Sequence, residues 1–239
     1  MPVFADDPKV MPLIVQGDAE ERLHHARTAL TLFEQAEKAD AKNSGILLRI
    51  AKTYLDLVDE AKPPEEAHYA ERAVEYSKRA IELDPQNPKA HLSIAVGYGK
   101  LADFVGSKEK IEYSRIIKDE AEKSIALDAE DDYAWYLLGR WNFAVANVSG
   151  VLKTVARVAY GGLPSASNEE AARCYKKAAD LAPQRLMHHS ALARAYTALG
   201  KTDLAAKEWR TVLTLKPGTC DEENDRREAQ KTLGLAKQD

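Results

Sequence analysis

Apolar positions recur every three to four residues along most of this chain, the spacing of one buried helical face. Leu23, Ala26, Leu30, Phe33 and Ala36 form the first such stripe. Asp18, three residues before Glu21, reads as a capping box that opens this helix, which should close near Ala39-Asp40-Ala41. Residues 1–17, with Pro2, Pro8 and Pro12, predict an extended arm. One stretch differs. Over Phe143–Leu163 the only charges are Lys153 and Arg157, while Val145, Val148, Val151, Leu152, Val155, Val158 and Tyr160 are apolar. We read 143–163 as an insertion, helical over most of Phe143–Tyr160, with Gly150 as a bend. Val148, Leu152, Val155 and Ala159 would face a neighbouring wall. Asp221–Lys237 predicts a charged helix that caps the end of the array.

Two signatures repeat along the chain. A small residue with a larger one three positions on recurs as Ala51 with Tyr54, Ala95 with Tyr98, Gly139 with Asn142 and Ala193 with Tyr196, the small residues being 44, 44 and 54 positions apart. Helix-ending patterns close at Pro85, Ala129, Pro183 and Pro217, and Ala41 lies 44 before the first. Two signatures with one period imply a helical-repeat array. The last unit, Leu186–Pro217, resembles the tetratricopeptide repeat: Leu192, Ala193, Tyr196, Gly200, Ala205, Trp209 and Pro217 fall at that family's spacing. Small residues at 193 and 205 let two antiparallel helices approach, and the aromatic rings fill the space beside them. Pro63-Pro64-Glu65-Glu66, Asn87-Pro88 and Ser167-x-x-Glu170 read as helix starts. The expected fold is all-α, a tetratricopeptide-like superhelix of about ten helices: one domain, 18–239, of a lone helix, four pairs and a cap.

The 239 residues carry a net charge of −4, with Lys and Arg interleaved among Asp and Glu. That pattern describes solvated helix faces and gives no reason to expect nucleic acid. No run reaches the roughly 18–20 apolar residues of a spanning helix. Val3-Phe4-Ala5 before Asp6-Asp7 looks like the tail of a secretory cleavage site, so a cytoplasmic protein is expected, or an exported one if a leader was trimmed. Cys174 and Cys220 stand in no metal or redox spacing. Adjacent histidines, His24-His25 and His188-His189, point about 100° apart on a helix and do not make a bidentate metal site. No nucleophile elbow, phosphate loop or zinc-protease motif is present, so neither an enzyme nor a cofactor is expected.

Within the third unit, Leu138-Gly139-Arg140-Trp141-Asn142-Phe143-x-x-Ala146 is followed by Tyr160-Gly161-x-x-Pro164-Ser165-Ala166-Ser167. This resembles the regulator of microtubule dynamics family, in which a Gly-Arg-Trp motif, an inserted helical segment and a Pro-x-Ala-Ser/Thr turn occur together. The resemblance runs from about Asp18 to Pro217. It implies an all-helical tetratricopeptide domain and association with microtubules. An animal member at organelle contacts adds tethering and phospholipid binding to what it implies.

The residue after each small position, Lys52, Val96, Arg140 and Arg194, should face the concave groove, with Lys100 close by. Stacked Lys and Arg there could clamp a carboxylate or phosphate; the bland alternative is internal pairing, for example with Asp56 or Asp103. The insertion either plugs the groove or walls an apolar cavity opposite Leu92, Tyr136 and Phe143. The leading expectation is therefore a non-enzymatic scaffold that binds a protein or acidic peptide partner. The alternative is a phospholipid or similar anionic amphiphile.

Overall fold

A computed structural model of the chain describes residues 9–235. Among them are twelve α-helices and no strand. They divide into two units, the first ending at Leu127 and the second starting at Asp128. Unit one holds α1 (Met11–Arg22), α2 (Ala26–Ala39), α3 (Ser44–Glu60), α4 (Glu65–Leu83), α5 (Pro88–Leu101) and α6 (Ser107–Leu127). Unit two holds α7 (Asp132–Ala146), α8 (Gly150–Tyr160), α9 (Asn168–Leu181), α10 (Leu186–Ala198), α11 (Thr202–Thr214) and α12 (Cys220–Thr232).

The repeat pairs are α3/α4, α5/α6, α7/α9 and α10/α11. Their starts follow from sequence chemistry. Asn43, Asn87, Asp131 and Ser167 each accept a backbone N–H of the first turn that the helix itself leaves unpaired. Ala51, Ala95 and Ala193 are wholly buried, which lets the partner helix lie against the backbone. In the third unit the neighbour is a ring: a Cβ on Gly139 would stand 2.7 Å from Cδ1 of Tyr175. Glycine is required there by the ring, and it brings Tyr175 of α9 tight against α7. Gly97 meets Val74 in the same way.

Two buried histidines repeat one device at the helix starts. His91 Nδ1 faces Glu120 Oε2 at 2.6 Å and its Nε2 faces the Pro85 carbonyl at 3.1 Å. His189 Nδ1 faces Glu208 at 2.7 Å and its Nε2 faces the Pro183 carbonyl at 3.0 Å. Each imidazole ties a first helix to its second helix and to the turn before it. The Glu208 carboxylate raises the His189 pKa despite its burial.

Two expectations are corrected. The arm is helical from Met11 onward: Pro12 sits in the first turn, where no intrahelical donor is needed. Residues 1–8 of that arm lie outside the described residues. Asp18 does not cap a helix but lies inside α1, and the stripe beginning at Leu23 is split by a turn in which His24 takes φ 60°. Leu23 is consequently 61% exposed, whereas Ala26, Phe33 and Ala36 are buried. The insertion is helical over most of Phe143–Tyr160, and the break in it falls just before Gly150, where a bend was expected. Helix α7 ends at Ala146, and Asn147 turns the chain, donating to the Phe143 carbonyl and to Asn168 Oδ1, each at 2.7 Å. Gly150 then opens α8.

Candidate functional site

The first helices of the pairs in unit two, α7 and α10, lie side by side, and α12 follows against α10. Their junctions are polar. Asp132 at the start of α7 accepts from Arg185 Nη1 at 2.7 Å and faces His188 Nε2 at 2.6 Å. Burial disfavours its charge, yet those two partners lower its pKa. Tyr136 packs on His188, with ring centroids 5.4 Å apart, and on Tyr175 at 5.7 Å. Burial lowers the His188 pKa against the pull of Asp132, so the neutral imidazole donates Nε2–H to the carboxylate.

The basic positions of this face behave differently from one another. Arg194 of α10 is half-buried and reaches α12. Its Nε donates to Glu228 Oε2 at 3.1 Å, its Nη2 donates to Glu228 and Asp225, and its guanidinium lies 5.6 Å from the centre of the Trp209 ring. Burial opposes its charge, but the two carboxylates outweigh burial and push its pKa further up. Arg140 of α7 is exposed and has no hydrogen bond or ion pair among the described residues. Burial raises the pKa values of the Tyr136 and Tyr175 hydroxyls, and the positive charges of Arg140 and Arg194 both act on them in the opposite direction. Phe143 and Tyr136 pack on a core that includes Tyr175 and Leu192.

In unit one, Lys52 contacts Asp56 at 2.8 Å and Glu21 at 3.4 Å. Burial lowers its pKa, but these carboxylates raise it overall. Lys100 pairs with Asp59, so internal pairing, weighed as the alternative to an anion site, holds for both lysines. Leu92 is core, at 7% exposure, and Val96 is half-buried. The candidate residues are thus divided: Lys52, Leu92, Val96 and Lys100 belong to unit one, and Tyr136, Arg140, Phe143 and Arg194 to unit two. Tyr175, Asp225 and Glu228 were missed. The spacing of three between Asp225 and Glu228 puts both on one helix face and was the available signal.

The expected cavity beside the insertion is displaced. One of about 300 Å³ lies against α8, but it is lined by Val145, Lys153, Arg157, Leu163, Pro164 and Ser165 among others, not by Leu92, Tyr136 or Phe143. Helix α8 buries Ala156, whereas Ala159 is exposed and Val151 and Val158 are 75% and 79% exposed. The side chains of Leu152 and Val155 lie outside the described residues. Among the described residues, no group of His, Cys, Asp and Glu could hold a metal, and no helix is long and apolar enough to cross a membrane.

Paired antiparallel helices, small residues at each crossing and a helix at the end of the stack define a tetratricopeptide-type helical-repeat protein. Solved structures agree. TTC0263, a tetratricopeptide protein of the thermophile Thermus thermophilus, superposes with a TM-score of 0.70 at 18% identity, covering 94% of this chain and 99% of that one. MamA of Desulfovibrio magneticus RS-1 gives 0.58 at 15% identity, over 94% and 98%. YrrB, a tetratricopeptide protein with an unusual peptide-binding site, gives 0.50 at 11%, over 91% and 92%. At these identities the likeness is one of fold. The chain belongs to the regulator of microtubule dynamics family, matching the family described as Regulator of microtubule dynamics protein 1-3 over residues 14–237. It is 31% identical to Regulator of microtubule dynamics protein 2 of Homo sapiens over 105 residues, 44% of this chain. That match spans about a quarter of the human protein's length, 26%.

Proposed function

We propose that the chain is a non-enzymatic adaptor that binds an acidic segment of a protein partner on the first-helix face of unit two. The single observation behind this reading is Arg140. It is a guanidinium left without a carboxylate on a face where Arg194 is fully engaged. Tyr136 stands beside it, partly buried over the packed Tyr175 ring, and offers an aromatic edge. A planar fork next to a tyrosine ring suits a Glu or Asp side chain flanked by apolar residues. The fold supports the reading, since first-helix faces of tetratricopeptide proteins hold peptides and YrrB is described as peptide-binding.

The test is selection from a displayed random peptide library with the wild-type chain, repeated with Arg140→Gln and Arg140→Lys. Acidic peptides should be enriched, with affinity falling about 10- to 100-fold in the Gln variant, the value of a charge-assisted bond. The Lys variant should be intermediate, because it keeps the charge and loses the fork. Enrichment without acidic bias, or affinity unaffected by Arg140→Gln, would end this reading. A lipid that co-purifies and is released by organic extraction would favour an amphiphile in its place. Co-sedimentation with microtubules tests the association that the family name implies.

A further inference from the structure

The cavity against α8 is a second location, independent of the first-helix face. It lies between the C-terminal end of α7, helix α8 and the segment 162–166. Val145 is five residues beyond Arg140, which places it about 140° further around α7. Cavity and first-helix face therefore open on different sides of that helix.

Its chemistry is one-sided. Lys153 and Arg157 are four residues apart on α8, so both line the same cavity. Lys153 Nζ donates to the Ala146 carbonyl at 2.7 Å, which holds the ammonium at the end of α7. Arg157 has no hydrogen bond or ion pair among the described residues. Among the described residues no carboxylate contributes to the lining; Ser165 adds a hydroxyl, and Val145, Leu163 and Pro164 supply apolar wall. Two like charges one turn apart repel, a local cost that an anion between them would remove. Elsewhere in this acidic chain the basic side chains of α3, α9 and α10 have carboxylate partners.

We propose that this cavity binds a small oxyanion, a carboxylate or phosphate, carried on a short apolar body. The Arg157 fork takes two oxygens in parallel, and the Lys153 ammonium supplies a second charge from one side. The apolar wall covers the first few carbons behind the anionic group. A volume of about 300 Å³ is at the small end of ligand sites and holds a group of a few carbons, not a bulky cofactor.

The experiment follows the Arg157 Nε–Hε resonance of the full chain by NMR at constant ionic strength. Hexanoate, acetate and inorganic phosphate are titrated, with chloride as the reference. Hexanoate should shift the signal saturably and bind about tenfold more tightly than acetate, as partial burial of four extra methylenes implies. Phosphate should saturate more weakly than hexanoate. Arg157→Gln, at an exposed position and with its helical content checked by circular dichroism, should abolish the hexanoate response seen at neighbouring amides. Arg157→Lys should weaken it, and Arg140→Gln should leave it unchanged. Linear shifts that chloride reproduces would show screening alone and overturn the proposal. So would hexanoate binding no better than acetate, or a response that disappears with Arg140→Gln.

Discussion

The first-helix faces of the two units share one device, two acidic residues on an outer helix that take the polar side chains of the first helix beside it, and they part at Arg140. In unit one, Asp18 and Glu21 on α1 are three residues apart. Asp18 takes Arg49 in a two-pronged bond of 2.7 and 3.0 Å, and Glu21 receives Thr53 and Lys52. In unit two, Asp225 and Glu228 on α12 are also three apart and together hold Arg194. Each outer helix thus presents one acidic face to the basic face of the first helix beside it. Lys100 of α5 is neutralised from α3 by Asp59. Arg140 of α7 receives no such partner among the described residues. A basic row read along the sequence is therefore mostly internal wiring: Lys52, Lys100 and Arg194 all have carboxylate partners within the fold.

The largest effect expected from breaking this arrangement comes from Gly139→Ala. The new Cβ would meet the Tyr175 ring at 2.7 Å, and moving a packed ring costs about 1–3 kcal/mol. Thermal unfolding should report that loss, and hydrogen exchange should place it in α7 and α9. Unchanged melting would mean that the ring moves freely and that the glycine is not a packing requirement.

Next come the two outer clamps. Arg194→Gln leaves Asp225 and Glu228 beside each other without a counter-charge and should cost about 1 kcal/mol, kept modest by solvent screening. Amide protection should fall in α12 before α7. Arg49→Gln should do the same to α1, by a similar or smaller amount. If either change loosened the chain uniformly, the outer helices would not be separate nearest-neighbour elements.

A smaller effect distinguishes the adjacent histidines of α10. Glu208 raises the His189 pKa above its unfolded value, so its stabilisation is complete below about pH 6.5 and is lost as pH rises through the folded pKa. Burial lowers the His188 pKa, so its contribution is present above about pH 6.5 and is lost as pH falls through the folded pKa. His189→Gln should therefore destabilise more at pH 5.5 than at pH 8.5. The opposite order in denaturant titrations would refute the protonated His189–Glu208 pair.

The smallest expected effect is the most informative for function. Arg140→Gln should change stability by no more than about 0.5 kcal/mol, as at any exposed, unpaired position. A larger drop in melting temperature would make Arg140 a structural clamp and return the comparison of the two faces to symmetry.

Sequence alone determined the repeat, because burying one helical face against the next imposes both a period and small residues at fixed places. The 44-residue spacing of Ala51, Ala95 and Gly139 carries that requirement. It also placed Asn87 and Ser167 at helix starts, since capping is a local matter of one side chain and two or three amides. Tertiary structure decided what lay outside such local rules. Three residues, Leu23 to His25, break a stripe whose spacing runs on unbroken, and neither Gly nor Pro marks the turn. Proline in the first turn of α1 resembled an arm because the same residue suits both. The pairing of Arg194 with Asp225 and Glu228 spans more than thirty residues, and only folding brings those charges within reach. That Arg49 and Arg194 are paired is settled there, by the positions of α1 and α12 and not by any pattern along the chain.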